Sequence, residues 1–474
     1  MDPVAIVGGG VVGLASALFL ARRGHEVVVL ERDGATPSPD GTPDDDVERW
    51  KRPGVPQVMH AHAFLARTAR VLRAEAPDLL EALRARGVMP AAISFGEGCE
   101  DDAALLARRL VFEAVVRRAV EAEPAVVVRS GVRVTGLVAD PVASRPTVRG
   151  VWLSDGERLP AWLVVDCAGR RSQAPRWLRE IGATAPVEAH HPFHAVYFAR
   201  HYRLRPGGAY PIGNPVVPRV TPYGPFIAFG GDNGTFALGA ALSAQDPYRA
   251  ALRDGTVFDR VFSAIPGLDS WVEAGEPITD VYPMAGLANR RRSLVRDGVP
   301  VVDGYVLVGD SSIYTNATMG QGISLGLWQA QHLAHLCDRA GPGGRAGRAA
   351  GTDGAALAVD LERWTDRTLG PRFARQAAMD EARTRAMRDG VRGAPTPEPG
   401  EQQRPLAALM ALAMQGDDLA LLWSRRMAHL LAEPQELFAD PHLSERIRSF
   451  LATNPSFGGD LGPLPRPDFE ALVR

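Results

Sequence analysis

The stretch "VAIVGGGVVGLASALFLARRGHEVVVLERD", residues 4–33, places a glycine-rich turn between two apolar runs. Val4 to Val7 form a short predicted strand, and Gly8, Gly10 and Gly13 follow in the spacing G-x-G-x-x-G. Glycines at this spacing allow a tight turn, the approach of a pyrophosphate to the backbone, and close packing of the next helix on the strand. The stretch therefore predicts a Rossmann-like, dinucleotide-binding turn.

The residues after the turn support this interpretation. A helix is predicted over residues 11–23, and its N-terminus would direct positive partial charge at the phosphates. A second strand over residues 27–30 ends at Glu31, whose carboxylate can bind both hydroxyls of an adenosine ribose and would repel a 2′-phosphate. A membrane segment is the weaker alternative, because the apolar run falls short of the ~20 residues that a span needs and no basic region precedes it. We expect no membrane span and a cytoplasmic location.

Composition narrows the class of protein. The chain has 474 residues, 46% hydrophobic and 23% charged, with a formal net charge of −2. This balance is ordinary for a soluble enzyme and provides no electrostatic reason to expect nucleic acid or an anionic membrane as a partner. Cys99, Cys167 and Cys337 lie far apart in the sequence, so we interpret them as reduced core residues, with neither a disulfide framework nor a metal cluster.

Periodicity outlines the rest of the chain. Helical patterning around residues 65–87 precedes a mostly β region, in which Asp232, Asn233 and Gly234 supply turn chemistry between two apolar strands. The tail over residues 406–452 is helical in periodicity. Residues 35–49 are rich in Pro and Asp and are interpreted as an exposed loop. Residues 340–356 and 390–405 are interpreted as flexible connectors.

A second cofactor signal lies in "DGYVLVGDSSIYTNATMGQGISLGLWQAQHL", residues 303–333. Val306 to Val308 form a predicted strand, Asp310 follows it, and Gly320 and Gly322 precede a helix. An Asp at a strand end can accept hydrogen bonds from hydroxyls, and amides at a helix start suit an anion or an electron-rich ring. Alone, this pattern is more often turn and cap chemistry, but together with the first turn it favours a cofactor.

Five segments in this order resemble the FAD-dependent monooxygenases of the para-hydroxybenzoate hydroxylase fold, in the branch of the squalene-type and polyether epoxidases, which is related to the flavin-dependent halogenases. They are "GGGVVG…ER" at 8–32, "RPGVPQVMHAHAFL" at 52–65, "RRLVFEAVVRRAVE" at 108–121, "VVDCAGRRS" at 164–172 and "VGDSSIYTNATMGQG" at 308–322. The resemblance covers residues 4 to about 335. It implies an α/β fold in which a Rossmann-like FAD-binding domain (1–180 with inserted strands, and 286–340) is interleaved with a mainly antiparallel β substrate domain (181–285) and followed by C-terminal helices (357–474).

The resemblance also implies the residues that contact FAD. Those at the adenosine and pyrophosphate end are Gly8, Gly10, Gly13, Glu31, Arg32 and Val134. Those at the ribityl and flavin end are Arg109, Asp310, Gly320, Gln321 and Gly322. For Arg109 the alternative is a solvated helix face. For His60 and His62, packing or a loop hydrogen bond is the alternative to a role beside the flavin, and metal binding is not expected.

Two positions depart from the family pattern. Related hydroxylases carry an Asp-Gly pair that helps to bind FAD and NAD(P)H, whereas this chain has Ala168-Gly169, with Asp166 two residues earlier. The flavin could therefore be reduced by NAD(P)H directly or through a separate flavin reductase. Ala317 occupies the usual proline position before the flavin-side loop, so we expect that loop to be less rigid.

The activity that the resemblance implies is monooxygenation, a hydroxylation or epoxidation by a flavin C4a-hydroperoxide, of an apolar or aromatic biosynthetic intermediate. No particular catalytic side chain is predicted, since the cofactor performs the difficult step. The candidate substrate-lining residues are Phe193, Tyr197, Tyr202, Phe229 and Tyr314, with plain core packing as the alternative for each. Flavin-linked dehydrogenation or reduction remains open, as does a non-catalytic FAD carrier. Halogenation also remains open, but a halogenase normally needs a lysine near the flavin, and Lys51 is the only lysine of this chain.

Overall fold

The computed structural model describes residues 2–91, 103–140, 145–211, 216–339, 354–401, 403–456 and 462–474, so Cys99 and most of the predicted connector 340–356 lie outside the described residues. The helices are α1 Val11–Ala21, α2 Pro43–Arg49, α3 Ala66–Glu75, α4 Pro77–Ala85, α5 Arg109–Glu121, α6 Ala174–Glu180, α7 Gly255–Ser263, α8 Asp269–Ala274, α9 Gly322–Arg339, α10 Gly354–Thr368, α11 Gly370–Gly390, α12 Arg404–Met414, α13 Asp418–Ala428, α14 Pro434–Ala439, α15 Pro441–Thr453 and α16 Arg466–Val473. The strands are β1 Val4–Val7, β2 Val27–Glu31, β3 Ala63–Phe64, β4 Met89–Ala91, β5 Ala104–Leu106, β6 Val126–Ser130, β7 Val134–Asp140, β8 Thr147–Leu153, β9 Arg158–Pro160, β10 Leu163–Asp166, β11 Val187–Phe193, β12 Ala195–Leu204, β13 Val216–Thr221, β14 Gly224–Gly230, β15 Thr235–Ser243, β16 Gly275–Pro277, β17 Tyr282–Met284, β18 Leu287–Ser293, β19 Val295–Arg296, β20 Val299–Pro300, β21 Tyr305–Leu307 and β22 Ile313–Tyr314.

A parallel sheet in the order β21-β10-β1-β2-β6 forms the centre of the first lobe. Val4, Ile6 and Val29 are fully buried in it, as expected of strands covered on both faces. Helix α1 packs beside α5 and α9 on the sheet, and the apolar side chains of these elements join one core cluster. The two segments predicted to contact the cofactor are thus neighbours, although some 300 residues separate them in the sequence.

The second lobe contains an antiparallel sheet in the order β13-β14-β15-β12-β16, and β17 also pairs with β12. The predicted hairpin between β14 and β15 is confirmed, because Asn233 has a φ of +50° and Gly234 a φ of +67°. One face of this sheet packs against α7 and α8 through a cluster of aromatic and aliphatic side chains, among them Phe198, Phe226 and Phe236. A smaller antiparallel sheet has the strand order β11-β18-β22.

The segment 35–49 is not simply an exposed loop, as its composition had suggested. Thr42 begins α2, because its side chain accepts from the backbone N–H of Asp45 while Asp45 accepts from the backbone N–H of Thr42. Asp46 is 1% exposed and accepts hydrogen bonds from the Arg118 guanidinium on α5. A capping box and a buried ion pair therefore order a segment rich in Pro and Asp.

The C-terminal region is helical, as the periodicity of residues 406–452 predicts. Helices α12 to α15 share an apolar cluster of their own, which includes Leu409, Leu437 and Ile447. Among the described residues, none of the helices is by itself long and apolar enough to cross a membrane. Helices α12 and α13 reach that length and composition only together, as a pair bent by 119°.

Candidate functional site

The glycine-rich turn after β1 contains glycines of two kinds. Gly8 has a φ of +108°, and a Cβ on Gly13 would lie 1.9 Å from the carbonyl oxygen of Gly8, so the turn itself excludes side chains at both positions. Gly10 has an ordinary extended backbone, and a Cβ there would meet nothing within 4 Å. The open space beside Gly10, at the start of α1, is therefore a cradle that fits a phosphate group.

Glu31, at the carboxyl end of β2, is a buried carboxylate with several donors. It is 5% exposed and accepts hydrogen bonds from the backbone N–H of Gly9 and of Asp33, both at 2.8 Å. The guanidinium of Arg52 donates a third hydrogen bond at 3.2 Å. These donors fix the position of the carboxylate beside the turn, and its role toward a ribose stays a prediction.

Arg52 is a candidate site residue that sequence reasoning missed, although it opens the second quoted anchor. Its side chain is fully buried, and its Nη2 lies 3.0 Å from Oε1 of Glu113 and 3.2 Å from the carbonyl oxygen of Gly9. Its Nε and Nη1 have no hydrogen-bond partner among the described residues. Buried guanidinium donors left unpaired beside a glycine-rich turn fit a phosphate or hydroxyl ligand.

Arg109 begins α5 and is 8% exposed, so the alternative of a solvated helix face is wrong for this residue. Its Nε lies 3.3 Å from Glu113 Oε2, and its Nη1 lies 3.4 Å from His62 Nε2. Arg32, in contrast, is exposed, and its Nη2 donates to the carbonyl oxygen of Gly54. Val134 begins β7 and packs in the core beside Leu30, and the cofactor contacts of both residues stay predictions.

Asp310 follows β21 in a single turn of 3₁₀-helix, at the position expected from the sequence. Burial raises the pKa of its carboxyl group to about 6, against the opposing effect of the guanidinium groups of Arg109, Arg170 and Arg290. A Cβ on Gly322 would lie 3.5 Å from Asp310 Oδ1, so the carboxylate stands against the N-terminus of α9. This end of the site therefore combines one carboxylate with several cations.

The loop between Asp310 and α9 carries two buried polar atoms that lack partners. Thr315 Oγ1 and Gln321 Oε1 have no hydrogen-bond partner among the described residues. Gly320, between them, adopts the left-handed conformation with a φ of +61°. Buried polar groups are nearly always paired once a protein has its ligand bound. These two atoms therefore fit a heterocyclic ring with donors and acceptors, such as an isoalloxazine.

Hydrogen bonds from neighbouring strands hold the loop that contains Ala317. The backbone N–H of Asn316 donates to Oδ1 of Asn289 at 2.8 Å. The hydroxyl of Tyr197 donates to Oδ1 of Asn316 at 3.2 Å and contacts the hydroxyl of Thr318. Strands β12 and β18 therefore anchor the loop through side chains.

Asp166, at the end of β10, is completely buried and joins two turns of the site. It accepts hydrogen bonds from the backbone N–H of Ala168 at 2.8 Å and from the hydroxyls of Ser172, Tyr305 and Ser311 at 2.5, 2.6 and 3.0 Å. Four donors occupy the acceptor positions of one carboxylate. Asp166 is consequently a structural link between β10 and the turn after β21.

One face of the sheet in the second lobe carries small side chains on its two central strands, β12 and β15. Cross-strand partners share one face of a sheet, and the pairs Ala199↔Gly239, Tyr197↔Ala241 and His201↔Ala237 define this face. We call Ala199, Ala237, Gly239 and Ala241 the small-residue floor. Tyr197 at one end contacts the loop before α9, and His201 at the other end lies 3.2 Å from the carbonyl oxygen of Met59.

Two of the five predicted lining residues, Tyr197 and Phe229, lie on this face, since Phe229 is the cross-strand partner of Ala237. Tyr202 is a correction: it is 1% exposed, stacks on Phe236 at 5.1 Å, and donates to Asp259 at 2.5 Å on the opposite face, because successive strand residues alternate. Phe193 and Tyr197 lie in one cluster under α11, and Phe229 packs beside β4 and β5. The hydroxyl of Tyr314 lies 3.4 Å from Nη1 of Arg170.

Comparison with known proteins agrees with this geometry. Residues 1–195 match a family model described as FAD binding domain. Protein Rv3254 of Mycobacterium tuberculosis is 28% identical over 367 residues, which are 70% of this chain and 72% of that protein.

Two solved structures share the fold at low sequence identity. The myxobacterial chondrochloren halogenase CndH, a variant of the FAD-dependent halogenases, is 17% identical with a TM-score of 0.59, over 91% of this chain and 98% of its own. PqsL of Pseudomonas aeruginosa, described as a probable FAD-dependent monooxygenase, is 18% identical with a TM-score of 0.56, over 88% of this chain and 97% of its own. Residues 1–195 therefore match the FAD binding domain family, and the chain has the fold of an FAD-dependent halogenase and of a probable FAD-dependent monooxygenase.

Proposed function

We propose that this chain is a monooxygenase, a hydroxylase or epoxidase, that inserts one oxygen atom of O2 into an apolar or aromatic small molecule. The observation that carries the proposal is the small-residue floor, which places alanines and a glycine between Tyr197 and His201 on the face opposite the aromatic cluster. A pocket that is mostly apolar, with few polar groups at its ends, is typical of small-molecule sites.

The same proposal assigns the contacts of the cofactor. Gly10 leaves room for the pyrophosphate and Arg52 donates to it, Glu31 accepts from the adenosine ribose, and Asp310 accepts from the ribityl chain. The unpaired Gln321 Oε1 and Thr315 Oγ1 face the flavin ring. Reduced flavin supplies the activation of dioxygen, while these side chains bind and orient the ring and the buried loop excludes water.

A test of cofactor binding uses two glycine-to-valine variants. Gly10→Val fills the cradle without strain in the backbone, so we expect a folded protein that no longer retains FAD. Gly400 is exposed and also open within 4 Å, so Gly400→Val should retain FAD like the unmodified chain. Flavin absorbance after desalting, with far-UV circular dichroism as the measure of folding, separates the two. FAD retained by Gly10→Val would contradict the assignment.

The source of electrons is proposed to be a separate flavin reductase. The acidic residue of the Asp-Gly pair is replaced by Ala168, and the nearby carboxylate of Asp166 is already occupied by four donors. Under anaerobic conditions NADH or NADPH should therefore bleach the flavin slowly, and a flavin reductase should speed the reduction. Fast bleaching by a nicotinamide alone, seen by stopped-flow absorbance, would overturn the two-component arrangement and leave the oxygenation proposal standing.

Oxygen insertion itself is tested by isotope labelling. With reduced flavin supplied and a panel of hydroxynaphthalenes and polyenes as substrates, products formed under ¹⁸O₂ should gain one ¹⁸O atom, and products formed in H₂¹⁸O should not. Product formation under strict exclusion of oxygen would instead indicate dehydrogenation or reduction. Incorporation of bromide or chloride would indicate a halogenase, the activity named for CndH.

A further inference from the structure

A chain of buried polar side chains runs from helix α11 to the loop before α9. Its first member is Asp380, in the middle of α11, which is 2% exposed although it is an acid. The second is Asn289 on β18, which is fully buried, and the third is Asn316 in the loop, which is 1% exposed. Helix α11 follows the segments that resemble the flavin monooxygenases, so that resemblance assigns no role to this acid.

The carboxylate of Asp380 accepts hydrogen bonds from three side chains. Its Oδ2 accepts from Nδ2 of Asn289 at 2.9 Å and from Nε2 of Gln376 at 2.8 Å. Its Oδ1 accepts from Nη1 of Arg383 at 3.2 Å, which supplies the counter-charge that a buried carboxylate needs. Gln376 and Arg383 belong to the same helix, whereas Asn289 belongs to a strand. The bond to Asn289 therefore couples α11 to the sheet β11-β18-β22.

Asn289 connects this carboxylate to the loop through the two ends of its side-chain amide. An ionised carboxylate only accepts hydrogen bonds, so Asp380 requires the NH₂ group of Asn289 on its side. Oδ1 of Asn289 then faces the loop, where it accepts from the backbone N–H of Asn316 at 2.8 Å. A reversed amide would place its NH₂ group against that N–H, donor against donor. Asp380 thus fixes the orientation in which Asn289 can hold the loop.

The loop depends on such contacts, because its own residues restrict the backbone little. Residues 311–321 contain no proline, and Gly320 has a φ of +61°. A second contact comes from Tyr197 on β12. Burial raises the pKa of the Tyr197 hydroxyl, so it stays protonated and donates to Oδ1 of Asn316 at 3.2 Å. Side chains from two strands therefore hold the backbone and the side chain of Asn316.

The hydrogen bonds of this chain are complete except at the end where the flavin is proposed to bind. Among the described residues, no buried side-chain nitrogen or oxygen of Asp380, Asn289 or Asn316 lacks a partner. Thr315 Oγ1 and Gln321 Oε1, in the same loop, do lack one. Because Thr315 directly precedes Asn316, the bond from Asn289 also limits where Thr315 Oγ1 can lie. The chain thus ends at the atoms assigned to the flavin ring.

We propose that Asp380 is a positioning residue, which acts through Asn289 to hold the loop before α9 against the flavin ring. This inference rests on the proposed function, because that function includes the contact of the loop with the flavin. A residue of the C-terminal helices then contributes to FAD affinity and to the surroundings of the ring. A carboxylate suits this role better than an amide, because a carboxylate cannot reverse and present a donor to Asn289.

The first test replaces the acid and measures FAD binding by titration of the FAD-depleted full chain. Asp380→Asn keeps one acceptor oxygen, whereas Asp380→Leu removes both. We expect the dissociation constant of FAD to rise about threefold in the first variant and about tenfold in the second, with a shift of the visible flavin band in both. Glu381→Ala is the matched control. Glu381 is the next residue on α11 and pairs with Arg385 at the surface, so its loss should change neither quantity.

The second test separates positioning from general stability. Asn289→Ala interrupts the chain at its middle and should also weaken FAD binding about tenfold. Adding Asp380→Asn to Asn289→Ala still removes the ion pair with Arg383 and should lower the free energy of unfolding, measured by urea denaturation. It should leave FAD affinity and the flavin band as they are in Asn289→Ala, because the link to the loop is already absent. This comparison decides the question even if Asp380→Leu does not fold.

Two results overturn the inference. Unchanged FAD affinity in the Asp380 variants would leave this acid a purely structural residue. An equal loss of affinity on Asp380→Asn with and without Asn289 would mean that the acid acts through the stability of α11. Neither measurement needs turnover, so both are independent of the ¹⁸O₂ experiment and leave the proposed function standing. An unmodified chain that binds no FAD would contradict the proposed function and this inference together.

Discussion

The two faces of the sheet in the second lobe are built from the same strands and differ in almost every other respect. On one face Phe198, Phe226 and Phe236 are at most 2% exposed and pack against α7 and α8. On the other face, the positions one residue away along β12 and β15 carry the alanines and the glycine of the small-residue floor. The packed face carries large aromatic side chains, whereas the floor positions of β12 and β15 carry small ones, whose alanines are at most 3% exposed.

Under the proposed function, one face of the sheet contributes stability and the other contributes binding. Burying aromatic rings on one face stabilises the lobe, because each ring removes a large apolar area from water. Backbone hydrogen bonds between the strands hold the whole sheet together, so the floor needs no large side chains of its own to stay in place. Substitutions on the two faces should therefore affect different properties.

The largest expected effect is on the packed face. Phe236 stacks on Tyr202 and packs edge-on against Trp271, so Phe236→Ala should lower the free energy of unfolding by about 3–5 kcal/mol. Phe229 lies on the opposite face and is only partly buried, so Phe229→Ala should cost less than half as much and weaken 1-naphthol binding. Urea denaturation and probe titration measure the two quantities. Equal stability losses would contradict the distinction between the faces.

Substitutions that fill the floor should change ligand affinity more than they change the free energy of unfolding. Gly239→Val places a side chain on the floor at ordinary contact distances, so we expect an unfolding free energy within about 1 kcal/mol of the unmodified protein and a loss of 1-naphthol affinity of about thirtyfold, or ~2 kcal/mol. Its neighbour Ala240 faces the packed cluster. Ala240→Val should destabilise the protein by overpacking and leave probe affinity intact. The reverse outcome would mean that the floor is not the binding surface.

The floor side should also make the protein sensitive to acid. The pKa of His201 is about 4 in the folded protein, lowered by burial and by Arg108, against 6.5 in the unfolded chain. Since the unfolded chain binds more protons between these values, stability falls as the pH drops below 6.5. Between pH 7 and pH 5 the unmodified protein should lose about 1–2 kcal/mol more than His201→Gln, measured by urea denaturation at each pH. Parallel pH profiles would contradict a neutral, buried His201.

The smallest effects should come from two tyrosine hydroxyls on opposite faces. Tyr202→Phe removes a hydrogen bond to Asp259 and should lower the free energy of unfolding by about 1 kcal/mol, with an unchanged flavin spectrum. Tyr197→Phe removes the bond to Asn316 in the loop before α9. It should shift the visible spectrum of the FAD-loaded protein with a smaller change in stability. A spectral shift in Tyr202→Phe would contradict the position of Tyr202 on the packed face, away from the flavin.

Sequence reasoning went furthest where neighbours along the chain decide the structure. The glycine spacing, the strands around it and Glu31 predicted the Rossmann-like turn, and the Asp-Asn-Gly run predicted the hairpin, because local backbone conformation determines both. Residues 35–49 were predicted to be an exposed loop, but part of the segment is the helix α2. Its capping box uses an Asp, and its Asp46 is paired with an arginine on a helix distant in sequence. Tyr202 was misplaced because composition alone does not reveal which face of a strand is the core.

The amino-acid sequence by itself determined the dinucleotide-binding turn, the order of the elements and the FAD-dependent class, since these depend on short spacings and on segments in a fixed order. Only the tertiary structure showed that Arg52 is buried beside the turn with two nitrogens, Nε and Nη1, that have no hydrogen-bond partner among the described residues, and that four donors occupy Asp166. Those properties arise from contacts between residues far apart in the chain. Burial and the number of donors around each group decide them, and both exist only once the chain has folded.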